Sequence, residues 1–228
     1  MGRRWWVLGG IVVVAVLALV AGPWVYGTWI AEDDAPAPSV STSGAEPATG
    51  DVNGRWVVHA GTPPNETAAG YTVHEILNGA SVTVVGSTGE VSGSATVEAD
   101  KLTAGEITVQ VASVTTDDSR RDRQFAGNVM STNEFPTATF ALSGPVDLSG
   151  LPVDGTTGTV TATGTLTIKG VARPVTVDVE VLRSGDSLVA SSSIPVTWTD
   201  FGVQPPSLGF VTVDGSGTVD FLVSLRRA

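Results

Sequence analysis

The chain has 228 residues, no cysteine and a formal net charge of −11. That length asks for one domain of ordinary size, and a domain of about 175 residues buries roughly 70% of its extended-chain surface without a covalent staple. The absence of cysteine excludes disulfides, thiol redox chemistry, thiolate metal sites and a lipidated cysteine anchor, and the acidic balance excludes the basic face that a nucleic-acid partner requires.

Residues 1–4 carry Arg3 and Arg4, and no charged residue follows from Trp5 to Ile30. At about 1.5 Å per residue that stretch is longer than a hydrocarbon core of about 30 Å, and Pro23 interrupts it. The expected membrane helix therefore runs from Trp5 to about Gly22, with Trp24, Tyr26 and Trp29 in an interfacial flank reaching residue 30. Arg3 and Arg4 before the span, against Glu32, Asp33 and Asp34 after it, place the N-terminus in the cytoplasm and the rest of the chain outside. A cleaved signal peptide would need a shorter apolar region and small residues at a cleavage site; Ala35-Pro36-Ala37 is spoiled by its proline, so the expectation is an uncleaved single-pass anchor in the cell membrane.

Residues 31–53 hold Pro36, Pro38 and Pro47 among Ala, Ser, Thr and acidic residues without hydrophobic periodicity, and they are expected to be a disordered linker. The domain of residues 54–228 is β throughout. Ile107, Val109 and Val111 alternate with Thr108 and Gln110, and Val175, Val177, Val179 and Val181 alternate with Thr176, Asp178 and Glu180. Further strands are expected over 55–59, 71–77, 80–85, 90–98, 136–143, 158–169, 187–198 and 214–226, separated by turns such as Asn78-Gly79 and Ser184-Gly185-Asp186. About eight or more short antiparallel strands argue for a barrel or a sandwich, and periodicity does not choose between them. Thr116–Met130 breaks the pattern: its charges, with Phe125 and Val129 at i and i+4, predict a short amphipathic helix started by Thr115 or Thr116 and lying over a barrel end.

Four stretches carry a resemblance. Gly164-Thr-Leu-Thr-Ile-Lys-Gly-Val-Ala-Arg-Pro-Val175 reads as strand, tight glycine turn and returning strand; Asp118-Ser-Arg-Arg-Asp-Arg-Gln-Phe125, Asn133-Glu-Phe-Pro-Thr-Ala-Thr-Phe140 and Asp200-Phe-Gly-Val203 accompany it in order. Together, from about residue 117 to the C-terminus, the chain resembles the YceI-like family. It departs from the family at Ala172, where a hydroxyl residue is usual, at Gln124, where many members carry histidine, and at Trp198-Thr199, where an arginine is common. The start of the domain matches more loosely, with an extra loop around Gly61-Thr-Pro-Pro-Asn65.

The resemblance implies an elongated, eight-stranded, antiparallel lipocalin-like barrel whose apolar tunnel holds a long-chain isoprenoid or similar apolar lipid, as a carrier, buffer or sensor in the cell envelope. A long tail already rests in the bilayer, where each buried CH₂, worth about 0.8 kcal/mol against water, gains nothing further. A carrier must match that apolarity, and a tether raises its effective concentration at the source.

Candidate tunnel residues are Phe125, Phe135, Phe140, Leu166, Ile168, Trp198, Phe201 and Phe210, each of which is equally at home in an ordinary core. Arg120 and Arg123 are candidate contacts to an anionic head group, or else partners of Asp117 and Asp122 in surface ion pairs. His59 and His74 stand in separate strands, so no metal site is expected, and neither a catalytic constellation nor a cofactor is expected. Asn65-Glu-Thr67 fits the glycosylation pattern. The competing expectation is an extracytoplasmic protein-interaction module with a packed β core and no ligand.

Overall fold

The computed structural model describes residues 36–77, 79–207, 209 and 211–228. The membrane span and its flanks, the first linker residues and Phe210 lie outside the described residues. Among those described, no helix is long and apolar enough to cross a membrane.

Period-2 alternation sets the strands: β1 (Gly54–His59), β2 (Gly61–Thr62), β3 (Asn65–Glu66), β4 (Ala68–Leu77), β5 (Ala80–Thr88), β6 (Val91–Glu98), β7 (Lys101–Gln110), β8 (Thr137–Leu142), β9 (Val146–Asp147), β10 (Thr157–Ile168), β11 (Val171–Ser184), β12 (Ser187–Thr197) and β13 (Val211–Arg227). The ring runs β1-β6-β7-β8-β10-β11-β12-β13 and closes because β13 pairs back onto β1. Closure of the ring through β1 and β13 decides for a barrel. One edge of β13 pairs with β4 over 211–222 and with β1 over 224–227, so β1 and β4 share one wall position, as β5 and β6 share the next. The wall thus has eight antiparallel positions.

On the side of β5 away from β4, where a gap opens in the wall, Ser87 bridges Thr115. The segment that follows β7 fills this gap, and it includes α1 (Ser119–Gln124), which continues as a π turn over Phe125–Val129. The helix starts later than the sequence suggests. Asp118, not Thr115 or Thr116, is the cap, its side chain accepting from the Arg120 amide at 2.7 Å. Thr116 instead binds Asp122, its amide and hydroxyl both donating to Oδ1 at 2.8 Å.

The barrel has two unlike ends. At the closed end, by the β11–β12 turn, Trp56, Val97, Leu148, Leu188 and Leu225 are buried in the core, and Trp56 Nε1 donates to the Val52 carbonyl at 2.8 Å. The other end carries the β4–β5 and β10–β11 turns, α1 and a 3₁₀ turn over Trp198–Phe201.

Much of the stretch read as a disordered linker is docked. Val40 and Ala45 cover Leu182, Val189 and Leu222 on the outer face of β11, β12 and β13. The Val40 amide donates to Ser191 Oγ at 3.3 Å, the Glu46 amide to Ser184 Oγ at 3.0 Å and the Thr49 amide to the Gly185 carbonyl at 2.8 Å. Val52 lies in the core. β13 is buried continuously from Asp220 to Leu225 rather than alternately: Phe221, Val223 and Leu225 meet the core, while on the other face Leu222 meets the strap, Ser224 meets Asn65 and Thr67, and Asp220 meets Thr72. Asn65 clasps the strap, its Oδ1 accepting from the Ser41 amide and its Nδ2 donating to the Ser41 carbonyl, both at 2.8 Å, so the apparent glycan acceptor is already engaged.

Candidate functional site

The half of the barrel nearest α1 is not filled. An apolar cavity of about 170 Å³ opens there, lined from β4, β5, β7, β8, β10, β12 and β13 and from the α1 segment. Its floor and walls are mainly Val, Ile and aromatic side chains, among them Val84, Ile107, Val109, Ile194 and Phe221. The strands supply these residues because every second position faces inward.

Of the expected tunnel residues, Phe125, Phe140, Leu166, Ile168 and Trp198 line the cavity. Phe125 and Trp198 meet through Tyr71, whose ring stacks on Phe125 with centroids 4.9 Å apart and stands edge-on to Trp198 at 6.5 Å. Phe135 and Phe201 do not belong to the lining. Phe135 braces the β10–β11 turn, where a Cβ on Gly170 would stand 2.7 Å from its ring. Phe201 is buried in the core at the 3₁₀ turn. Phe210 lies outside the described residues.

The arginine at the cavity is neither of those expected. Arg120 is 83% exposed and pairs with Asp118 at 3.1 Å, while Arg123 Nη1 donates to Ser119 Oγ at 3.4 Å. Arg121 lines the cavity instead. The reason is helical spacing: Arg121 and Phe125 are at i and i+4, so the turn that points Phe125 inward carries Arg121 with it. Its Nη2 donates to Glu75 Oε1 at 3.1 Å and its Nη1 to Asp117. Burial disfavours the charged guanidinium, but Glu75 and Asp117 outweigh it and hold the pKa of Arg121 above its ordinary value. Glu75 is itself buried, 7% exposed at its side chain.

Asp220 also borders the cavity and is fully buried. It shares a face of β13 with Thr218, and its Oδ2 accepts from the Thr72 hydroxyl at 2.7 Å and the Thr218 hydroxyl at 3.1 Å. Among the described residues no group hydrogen-bonds its Oδ1. Sequence reasoning singled out none of Tyr71, Glu75, Arg121 and Asp220. Tyr71 and Glu75 had a signal, since alternation along β4 places them on one face with Val73.

A closed, lipocalin-like antiparallel barrel with an apolar cavity open toward one end is the class these features define. The model of the YceI-like domain matches residues 62–225, and the chain belongs to that family. The match begins well before the motifs that first suggested it. Burkholderia cenocepacia BcnA has a similar structure, with a TM-score of 0.56 and 24% identity over 69% of this chain and 95% of that one. So does a polyisoprenoid binding domain from Saccharophagus degradans implicated in plant cell wall breakdown, with a TM-score of 0.57 and 17% identity over 76% of this chain and 98% of that one. At such identities the likeness is one of fold. No curated protein matches the sequence.

Proposed function

We propose that this protein binds an isoprenoid or similar long apolar chain in the barrel cavity, as a membrane-tethered carrier, buffer or sensor outside the cytoplasm, and that it is a binder and not an enzyme. The cavity itself carries the reading. A packed interaction module has no use for such space: at about 24 cal/mol per Å³, 170 Å³ left empty forfeits roughly 4 kcal/mol of packing. Its lining is suited to hydrocarbon, and the Glu75 side chain there accepts from Arg121. The binding of polyisoprenoid by the Saccharophagus domain, on the same fold, agrees with this. The tether rests on the charge-free stretch from Trp5 to Ile30 and the flanking charge asymmetry.

The space is below the about 300–1,000 Å³ usual for ligand pockets, so a long chain enters by displacing part of the wall. The π turn Phe125–Val129 is the element suited to yield. It contributes Phe125 and Val129 to the lining and contains no buried residue, and such turns recur at functional sites.

Native mass spectrometry of the detergent-extracted chain, after exposure to a polyprenyl alcohol, tests the proposal. Wild type should carry one lipid, Phe140→Asp and Trp198→Asp should carry none because each sets an unpaired charge in the cavity, and Arg120→Ala with Arg123→Ala should retain it. Absence of lipid from the wild type would favour the interaction module.

A further inference from the structure

We infer that the docked strap fixes the orientation of the barrel, holding its open end against the bilayer surface so that the lipid passes between membrane and cavity without crossing water. This rests on the membrane-anchor reading above.

The argument is one of direction. Followed toward the N-terminus, the strap begins at the β11–β12 turn, where Thr49 meets Gly185, passes Ser184 through Glu46 and reaches Ser191 through Val40. Along β12 this is the course from Ser187 toward Thr197, away from the closed end and toward the 3₁₀ turn, the α1 segment and the cavity. Followed back as far as Val40, the strap therefore runs toward the open end. Presenting the closed end to the bilayer would require the chain before Val40 to double back over its own strap.

The surface agrees. Among the described residues the exposed large hydrophobics are Ile76 and Val153, and they lie at opposite ends. Ile76 is 49% exposed, pairs with Thr212 and sits beside the β4–β5 turn at the open end. Val153 lies at the closed end, where its carbonyl accepts from the Ala48 amide. The 14 residues of β11, at about 3.3 Å each and tilted by about 40°, set the two ends roughly 35 Å apart. One of the two positions can touch lipid while the other cannot.

The chain has no cysteine, so a single label can be placed at will. Full-length Ile76→Cys and Val153→Cys, each carrying an environment-sensitive fluorophore, are reconstituted into phosphatidylcholine vesicles with and without quencher-bearing lipid. The expected result is loss of most emission at position 76 and none at position 153. Adding Val40→Asp with Ala45→Asp to release the strap should leave the chain in the membrane fraction but abolish the difference between the two labels. Equal quenching at both positions with the strap intact, stronger quenching at 153, or quenching at neither in a chain that still fractionates with vesicles overturns the orientation and leaves the anchor standing. A chain that floats free of the vesicles overturns the anchor reading and this inference with it.

Discussion

Replacing Arg121 by leucine removes the cation that faces Glu75 at the cavity while leaving the hydrocarbon of the side chain in place. Glu75 is 7% exposed and Arg121 23% exposed at their side chains, so the pair is mostly withdrawn from water. Breaking a buried pair costs about 3–5 kcal/mol; the partial exposure of Arg121 lets water reach the stranded carboxylate, and about half of that, ~2 kcal/mol, is expected. For a domain of this size each kcal/mol moves Tm by about 2–4 °C, so Arg121→Leu should lower Tm by about 4–8 °C. Glu75→Leu combined with Arg121→Leu removes both charges and enlarges the apolar lining, and it should recover most of the loss. Differential scanning calorimetry of the two variants and the wild type decides the matter. A single variant that melts with the wild type, or a double variant that melts no higher than the single, would refute the view that Glu75 depends on this cation.

Gly170→Val should destabilise the barrel by more than about 1 kcal/mol in chemical denaturation, because φ is +75° there and the new Cβ would meet the Phe135 ring at 2.7 Å; an unchanged midpoint would contradict this. The Asp118 carboxyl is held below its ordinary pKa of 3.8, chiefly by the hydrogen bond from the Arg120 side chain and then by that from its amide. Its contribution to the helix cap is complete above pH 3.8 and is lost as pH falls through the lower folded value, so Arg120→Ala should move the carboxyl titration upward, read by NMR. A chain beginning at Asp51 lacks Val40 and Ala45 over Leu182, Val189 and Leu222, and it should be less stable than one beginning at Pro36 by about 1–2 kcal/mol. Equal stability would show that the strap contributes nothing to the fold.

The strands were legible because alternation is a local signal, and Gly170 was legible because Lys169 and Gly170 form the two-residue turn in which both central residues take positive φ. Closure was legible through the family motifs and not through periodicity. It depends on β13 dividing one edge between β4 and β1, a long-range pairing with no local mark. The strap escaped because Val40 and Ala45 are scattered among Pro, Ser and Thr without a period, and what orders them is an apolar patch about 140 residues or more further along the chain. Phe135 and Phe201 were assigned to the tunnel by size alone, whereas a side chain at a strand approach or a 3₁₀ turn need not share the inward face of the wall. Arg121 was legible in principle: the i, i+4 relation that places Phe125 and Val129 on one face also includes Arg121, which Arg120 and Arg123 do not share.

The central claim, that an apolar chain occupies the cavity at the open end, is tested most directly by photocrosslinking. A farnesol carrying a diazirine at its far end, irradiated with the full-length protein in detergent and mapped by peptide mass spectrometry, should label cavity-lining residues such as Phe125, Ile194 and Phe221. Excess unlabelled polyprenol should suppress that labelling. Labels confined to the outer wall or the closed end, or labelling that unlabelled lipid does not displace, would contradict it.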